Sequence, residues 1–266
     1  MALPVYITGL LYPQAKTRRA RHHLDQLQRY ADRYRKDPYT VTKEDNNQFG
    51  VEITRISLKK LDLMLAISVG EYVHSLRSAL DHLAWQLGLL SGRTHSRASA
   101  FPLHAHDTTK DRERFMRATW NIPCEAVEII KTLQPYNRGK DMKSDPLWQL
   151  NKLDNLDKHV TVGSSHTVIQ FKVLADGLRW RSLDDSQEIE VVIPLADKHI
   201  PHYELLPPEL VFGKPIENPG PDFWLSEAEL AAIHSYIHDD VLPRFAQFFP
   251  GCQTLESITI DKPDAT

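Results

Sequence analysis

Apolar residues recur at helical spacing in several stretches of the chain, most clearly between about Leu61 and Leu90. That stretch predicts one long helix, stopped by Ser91-Gly92. On a wheel at 100° per residue, Val73, Leu76, Ala79, Leu80, Leu83 and Leu87 share one arc. The opposite arc holds Glu71, His74, Arg77, Ser78, Asp81 and His82, with Trp85 and Leu89 in line one turn on. A solvated face would carry Lys and Glu, so large apolar groups beside a polar cluster predict that this second face is also covered. Shorter helices are predicted over 16–36, 110–119, 123–133 (proline in its first turn) and 147–158. A last one opens at the capping-box pattern Ser226-x-x-Glu229 and runs to about Asp240, where Pro243 ends or kinks it.

Elsewhere the period changes to two. YTVTKEDNNQFGVEITRI reads as a hairpin around Asp45-Asn46-Asn47. HTVIQFKVLADGLRWRSLDDSQEIEVVIPL reads as two or three antiparallel strands, with turns at Asp176-Gly177 and Asp184-Asp185. Residues 194–225 hold seven prolines and predict an ordered but irregular segment. QPYNRGKDMKSDP, at 134–146, predicts a polar loop. The expected fold is α+β: a mainly helical bundle with an N-terminal β-hairpin and a β-rich insert before the last helix. The whole of 1–266 is expected to form a single domain, with the bundle core at about 15–159 plus 225–248 and the insert at about 160–224.

Composition narrows the class without naming a function. The chain has 266 residues, 41% hydrophobic and 25% charged, an ordinary folded balance. The longest apolar stretch, Leu63 to Val69 interrupted only by Ser68, is far short of the roughly 20 residues that cross a bilayer. The opening ALPVYITGLLYP lacks a basic region and a small-residue cleavage site, so a signal peptide is not expected. Two cysteines, Cys124 and Cys252, make neither a disulfide framework nor a metal knuckle. A cytoplasmic location is the resulting expectation. The net charge of -3 conceals an uneven distribution: residues 16–36 hold eight Lys/Arg against two acids, a local +6, which leaves -9 elsewhere. Arg18, Arg19, Arg21, Arg29 and Arg33 are therefore candidates for binding a polyanion such as RNA.

The sharpest chemistry lies on the long helix. Arg77-Ser78-Ala79-Leu80-Asp81-His82 resembles the R-x4-6-H motif of the HEPN superfamily of ribonucleases. The same spacing recurs at Arg18…His23, so its place on an amphipathic helix is what distinguishes the Arg77/His82 copy. The resemblance implies a homodimeric, metal-independent endoribonuclease without a cofactor, in which Arg and His of two subunits meet at the interface. His82 would be the general base, Arg77 the ligand of the phosphate and its transition state, and Ser78, Asp81 and His74 orienting groups. Ser78 stands where the family often has Asn. The segments HSLRSALDHL and LNKLDNLDKH also resemble a widespread group of bacterial proteins.

Two readings of other classes compete. An Arg77–Asp81 pair at i,i+4 suits a non-catalytic binding or scaffold protein. If the helices ending in Asp157-Lys158-His159 and carrying His74 pack together, His74, His82, Asp157 and His159 would suit a metal-dependent enzyme. His234 and His238, with Glu227 on the same side, have metal-compatible spacing but border an apolar stripe. His104-Ala105-His106 is expected on a loop surface, and Cys124 opens a helix without an identified base. No GxGxxG, GxxxxGK[ST] or GxSxG sequence occurs, which removes support for dinucleotide, P-loop and serine-hydrolase functions.

Overall fold

A computed structural model describes residues 7–92, 100–159, 165–174, 179–183, 188–199, 201, 203–214 and 223–252. Its helices are α1 (Leu11–Arg35), α2 (Leu63–Leu89), α3 (Thr109–Thr119), α4 (Cys124–Thr132), α5 (Pro146–His159) and α6 (Glu227–Ser235). Its strands are β1 (Tyr39–Asn46), β2 (Val51–Leu58), β3 (Ser165–Val173), β4 (Arg179–Leu183), β5 (Glu188–Pro194), β6 (Tyr203–Lys214) and β7 (Phe223–Ser226). The chain is α+β and mainly helical, with the hairpin and the β-rich insert where the residue pattern places them. Among the described residues no helix is long and apolar enough to cross a membrane.

The contacts divide the chain into two compact units: 1–25, 68–162 and 228–266 in one, 26–67 and 163–227 in the other. The hairpin and the insert fall together in the second unit.

In the first unit the apolar arc of α2 is fully used: Val73, Leu76, Ala79, Leu80, Leu83 and Leu87 are all completely buried. Burial of each leucine contributes about 1.5–3 kcal/mol. Ala126 and Ile130 of α4 and Leu147, Leu150 and Leu153 of α5 belong to the same unit and are equally inaccessible. Asp145 caps α5, its Oδ1 accepting the N–H groups of Leu147 (2.9 Å) and Trp148 (3.1 Å) ahead of the proline-opened first turn. The expected polar loop before it is wound into 3₁₀ turns over Pro135–Ser144, broken at Gly139, whose φ is 56°. Helical winding also continues past Pro243. A π turn over Tyr236–Val241 follows α6, and a 3₁₀ segment runs over Leu242–Phe248. Pro243 lies in the first turn of that segment, where a missing N–H costs little.

In the second unit β1, β2, β5 and β4 form one antiparallel sheet in that order. Ile56, Val191 and Ile193 make its core, with Tyr39, Tyr203 and Leu205 packed against it. The hairpin turn falls at 47–50, starting two residues later than expected, with Gly50 at φ 64°. The proline-rich stretch is not irregular throughout, because it contains β6, which pairs with β3 and β7. Pro207 and Pro208 survive inside this strand because the β3–β6 register shifts between Val168/Glu209 and Gln170/Leu206. The prolines, which cannot donate to a ladder, fall in that irregularity. The proposed turns at 176–177 and 184–185 lie outside the described residues.

Candidate functional site

The candidate residues on α2 part company according to their direction from the helix. Arg77 Nη2 donates to the Phe101 carbonyl at 2.7 Å and lies 3.0 Å from Asp81 Oδ1. The same Asp81 oxygen accepts the Phe101 N–H at 2.9 Å. The pair thus grips both backbone groups of one buried residue. Arg77 Nη1 is buried and has no hydrogen-bond partner among the described residues. This geometry ties the segment after α2 to the helix and leaves the guanidinium only 12% exposed.

His82 points elsewhere. Its ring stacks on Tyr12 of α1, with centroids 5.9 Å apart and planes at 21°. Half-burial lowers its pKa below 6.5, the nearby Lys16 ammonium lowers it further, and Asp81 opposes both. The imidazole is therefore predominantly neutral at neutral pH. Tyr12 remains 52% exposed, so part of its ring is open to solvent. Among the described residues, Lys16 is the cation that acts on His82, while Arg77 is committed to Phe101 and Asp81. Ser78 is half-buried and His74 exposed.

On the His82 side of the polar arc of α2, Tyr12 of α1 covers the imidazole. Tyr12 lies four residues before Lys16 in α1, one helical turn apart. That spacing was visible in the sequence, but nothing in it indicated which helix would meet them.

Of the RNA-binding candidates, Arg21 pairs with Asp25 at 2.8 Å. Arg18, Arg19 and Arg29 are exposed, with no ion-pair partner among the described residues. Arg33, also exposed, lies 5.7 Å from the centre of the Tyr30 ring. Arg35, further along the helix, pairs with Asp32 and Glu227.

His74, His82 and Asp157, the alternative metal ligands whose side chains are described, form no metal-holding cluster. Among the described residues no group of three or more His, Cys, Asp or Glu is placed to hold an ion. His82 faces Tyr12, and Asp157 lies against Gly70. The His159 side chain is outside the described residues. His234 and His238 stack on each other at 5.6 Å and both engage Thr17 of α1: His234 Nε2 meets its carbonyl at 3.1 Å, His238 Nδ1 its hydroxyl at 2.9 Å. They fasten the C-terminal helical segment to α1. Cys124 is exposed and Cys252 half-buried, both free thiols. His104 and His106 line a pocket of about 330 Å³, where a plain loop surface was expected.

No protein-family model, curated protein or solved structure matches the chain.

Proposed function

We propose that the protein is a metal-independent endoribonuclease of the HEPN kind, acting on single-stranded RNA as a cytoplasmic homodimer. The observation that carries this reading is the His82 imidazole, half-buried, stacked on exposed Tyr12 and lying near Lys16. Cleavage of RNA without a metal begins when a neutral base removes the proton of a 2′-hydroxyl. The 2′-oxygen then attacks the adjacent phosphorus, the bond to the 5′-oxygen breaks, and that oxygen takes a proton from water. A 2′,3′-cyclic phosphate remains on one product. His82 supplies the base. Lys16 offsets the negative charge that builds on the phosphoryl oxygens. The open part of Tyr12 offers a stacking surface for a nucleobase, and Arg18 and Arg19 continue the cationic surface along α1. Arg77 and Asp81 act by positioning, since they hold the Phe101 backbone instead of facing a phosphate.

The test is cleavage of a single-stranded RNA in EDTA. Wild-type protein yields cyclic-phosphate ends, His82→Ala abolishes cleavage with the fold retained, and Lys16→Ala slows it by a factor of about 10². Cleavage that persists in His82→Ala refutes the assignment. Sedimentation of the wild type as a monomer at assay concentration refutes the homodimer.

A second reading, a non-catalytic binding protein, is favoured by the Arg77–Asp81–Phe101 network, a structural use of the motif arginine. It predicts RNA retention without cleavage, with affinity falling as salt rises.

A further inference from the structure

The pocket beside His104 is separate from the His82 surface, and no role proposed above uses it. It lies between the loop ahead of α3, α3 itself, and the chain from the end of α4 into the first 3₁₀ turn. A buried glutamine fixes its geometry. Gln134 Nε2 donates to the carbonyls of Pro102 (2.9 Å) and Ile130 (3.0 Å), and its Oε1 accepts the His104 N–H at 3.0 Å. The His104 backbone is therefore stapled to the end of α4.

The His104 side chain is poised with one nitrogen unsatisfied. Its Nδ1 lies 3.7 Å from Asp111 Oδ1, and its ring is 6.4 Å from that of Phe115. Asp111 is held ionised by the Thr108 hydroxyl, which donates to it at 2.6 Å, and its carboxylate favours the proton on Nδ1. Burial lowers the imidazole's pKa below 6.5 against the opposing pull of Asp111, so the neutral ring predominates at neutral pH. Nε2 is then an acceptor, and it is buried with no hydrogen-bond partner among the described residues. A buried acceptor without a partner has lost its hydration with nothing in return, and a ligand carrying a donor would make good that loss.

The rest of the lining defines what that ligand is. Phe115, the Tyr136 ring and Met116, 61% exposed, supply flat or flexible apolar surface. The formal charges around it, Asp107 and Asp111 against Arg112 and Lys131, carry no excess of either sign. Arg112 is moreover closed onto Asp107 by two hydrogen bonds of 2.7 and 2.6 Å. Such a lining gives a free phosphate or another small anion no net attraction. The volume of about 330 Å³ lies at the lower end of the range for small-molecule sites.

We propose that this pocket binds an uncharged planar aromatic ligand that donates an N–H or O–H to His104 Nε2, the chemistry shared by nucleosides and phenols. The binding is independent of the ribonuclease reading.

The experiment follows the four methionine methyl groups of the ¹³C-methyl-labelled full chain, and the imidazole ¹⁵N signals, as adenosine, cytidine, phenol or anisole is added. Saturable movement of the Met116 methyl and the His104 Nε2 signal is expected with the nucleosides, the phenol or both. The responding arm identifies the source. Anisole, which has the ring without the donor, binds at least tenfold more weakly than phenol. His104→Phe keeps a ring and removes the acceptor, and weakens binding at least tenfold. Equal binding of phenol and anisole, unchanged binding to His104→Phe, or no response to any of the four overturns the proposal. Should His104→Phe fail to fold, the wild-type Nε2 signal and the phenol–anisole comparison still decide it. His82→Ala leaves this binding unchanged, so loss of cleavage and loss of binding are read separately.

Discussion

Replacing Arg77 by alanine separates a structural arginine from a catalytic one. The substitution removes the 2.7 Å hydrogen bond to the Phe101 carbonyl and the 3.0 Å ion pair with Asp81. A hydrogen bond from a charged donor contributes about 1.5–3 kcal/mol, and a stranded buried carbonyl costs a similar amount. The partner Asp81 is 37% exposed, so water recovers part of its loss and the fully buried figure of 3–5 kcal/mol is too large. A destabilisation of about 2–3 kcal/mol is expected. At roughly 2–4 °C per kcal/mol for a domain of this size, the melting temperature falls by about 4–12 °C. Urea unfolding followed by circular dichroism measures it, with the midpoint lowered and the slope unchanged. In a double-mutant cycle Arg77→Ala and Asp81→Ala couple by about 1 kcal/mol, because both act on Phe101. The reasoning is refuted if Arg77→Ala unfolds within about 0.5 kcal/mol of wild type, the range of ordinary surface substitutions. Loss of cleavage together with unchanged stability would return Arg77 to the catalytic role its motif implies.

Three further outcomes follow from the same geometry. The cleavage rate should rise with pH through a single step below 6.5, because His82 acts as a base and its pKa is lowered by burial and by Lys16. Lys16→Ala should move that step upward and Asp81→Asn downward, and a wild-type step at or above 7 contradicts the assignment. Stability should decline on acidification: His82, His104 and His234 all have pKa values lowered in the folded state, so from about pH 6.5 downward the unfolded chain binds more protons. Urea midpoints at about pH 7.5 and pH 5 check this, and an equal or higher midpoint at the lower pH refutes it. Gly70→Ala should destabilise in spite of alanine's better helix propensity, since the new Cβ would fall 2.9 Å from Asp157 Oδ1. Combining it with Asp157→Ala should restore stability in part, as thermal unfolding of the pair would show.

The residue pattern alone determined a good deal. The apolar arc of α2 is buried as its period requires, because repetition every 3.6 residues states which side must leave water, whatever covers it. The hairpin was legible for the same reason, from alternation and turn residues. So were the segregated positive charges of α1, since charge is local to the residues that carry it. Pairings between distant segments were not legible. Whether β2 meets β5, and whether Pro207 and Pro208 find an irregularity in the ladder, depends on registers that no local window contains. The site follows the same division. The motif marked Arg77 and His82 as a pair, yet they lie on sides of α2 that meet different neighbours, a backbone segment at Phe101 and a tyrosine with a lysine on α1. Likewise His104 and His106 appeared as a loop surface until α3, α4 and Tyr136 closed a pocket around them. Periodicity encodes which side chains are buried, while the tertiary structure decides what each polar group meets, and a polar group's chemistry depends on that neighbour.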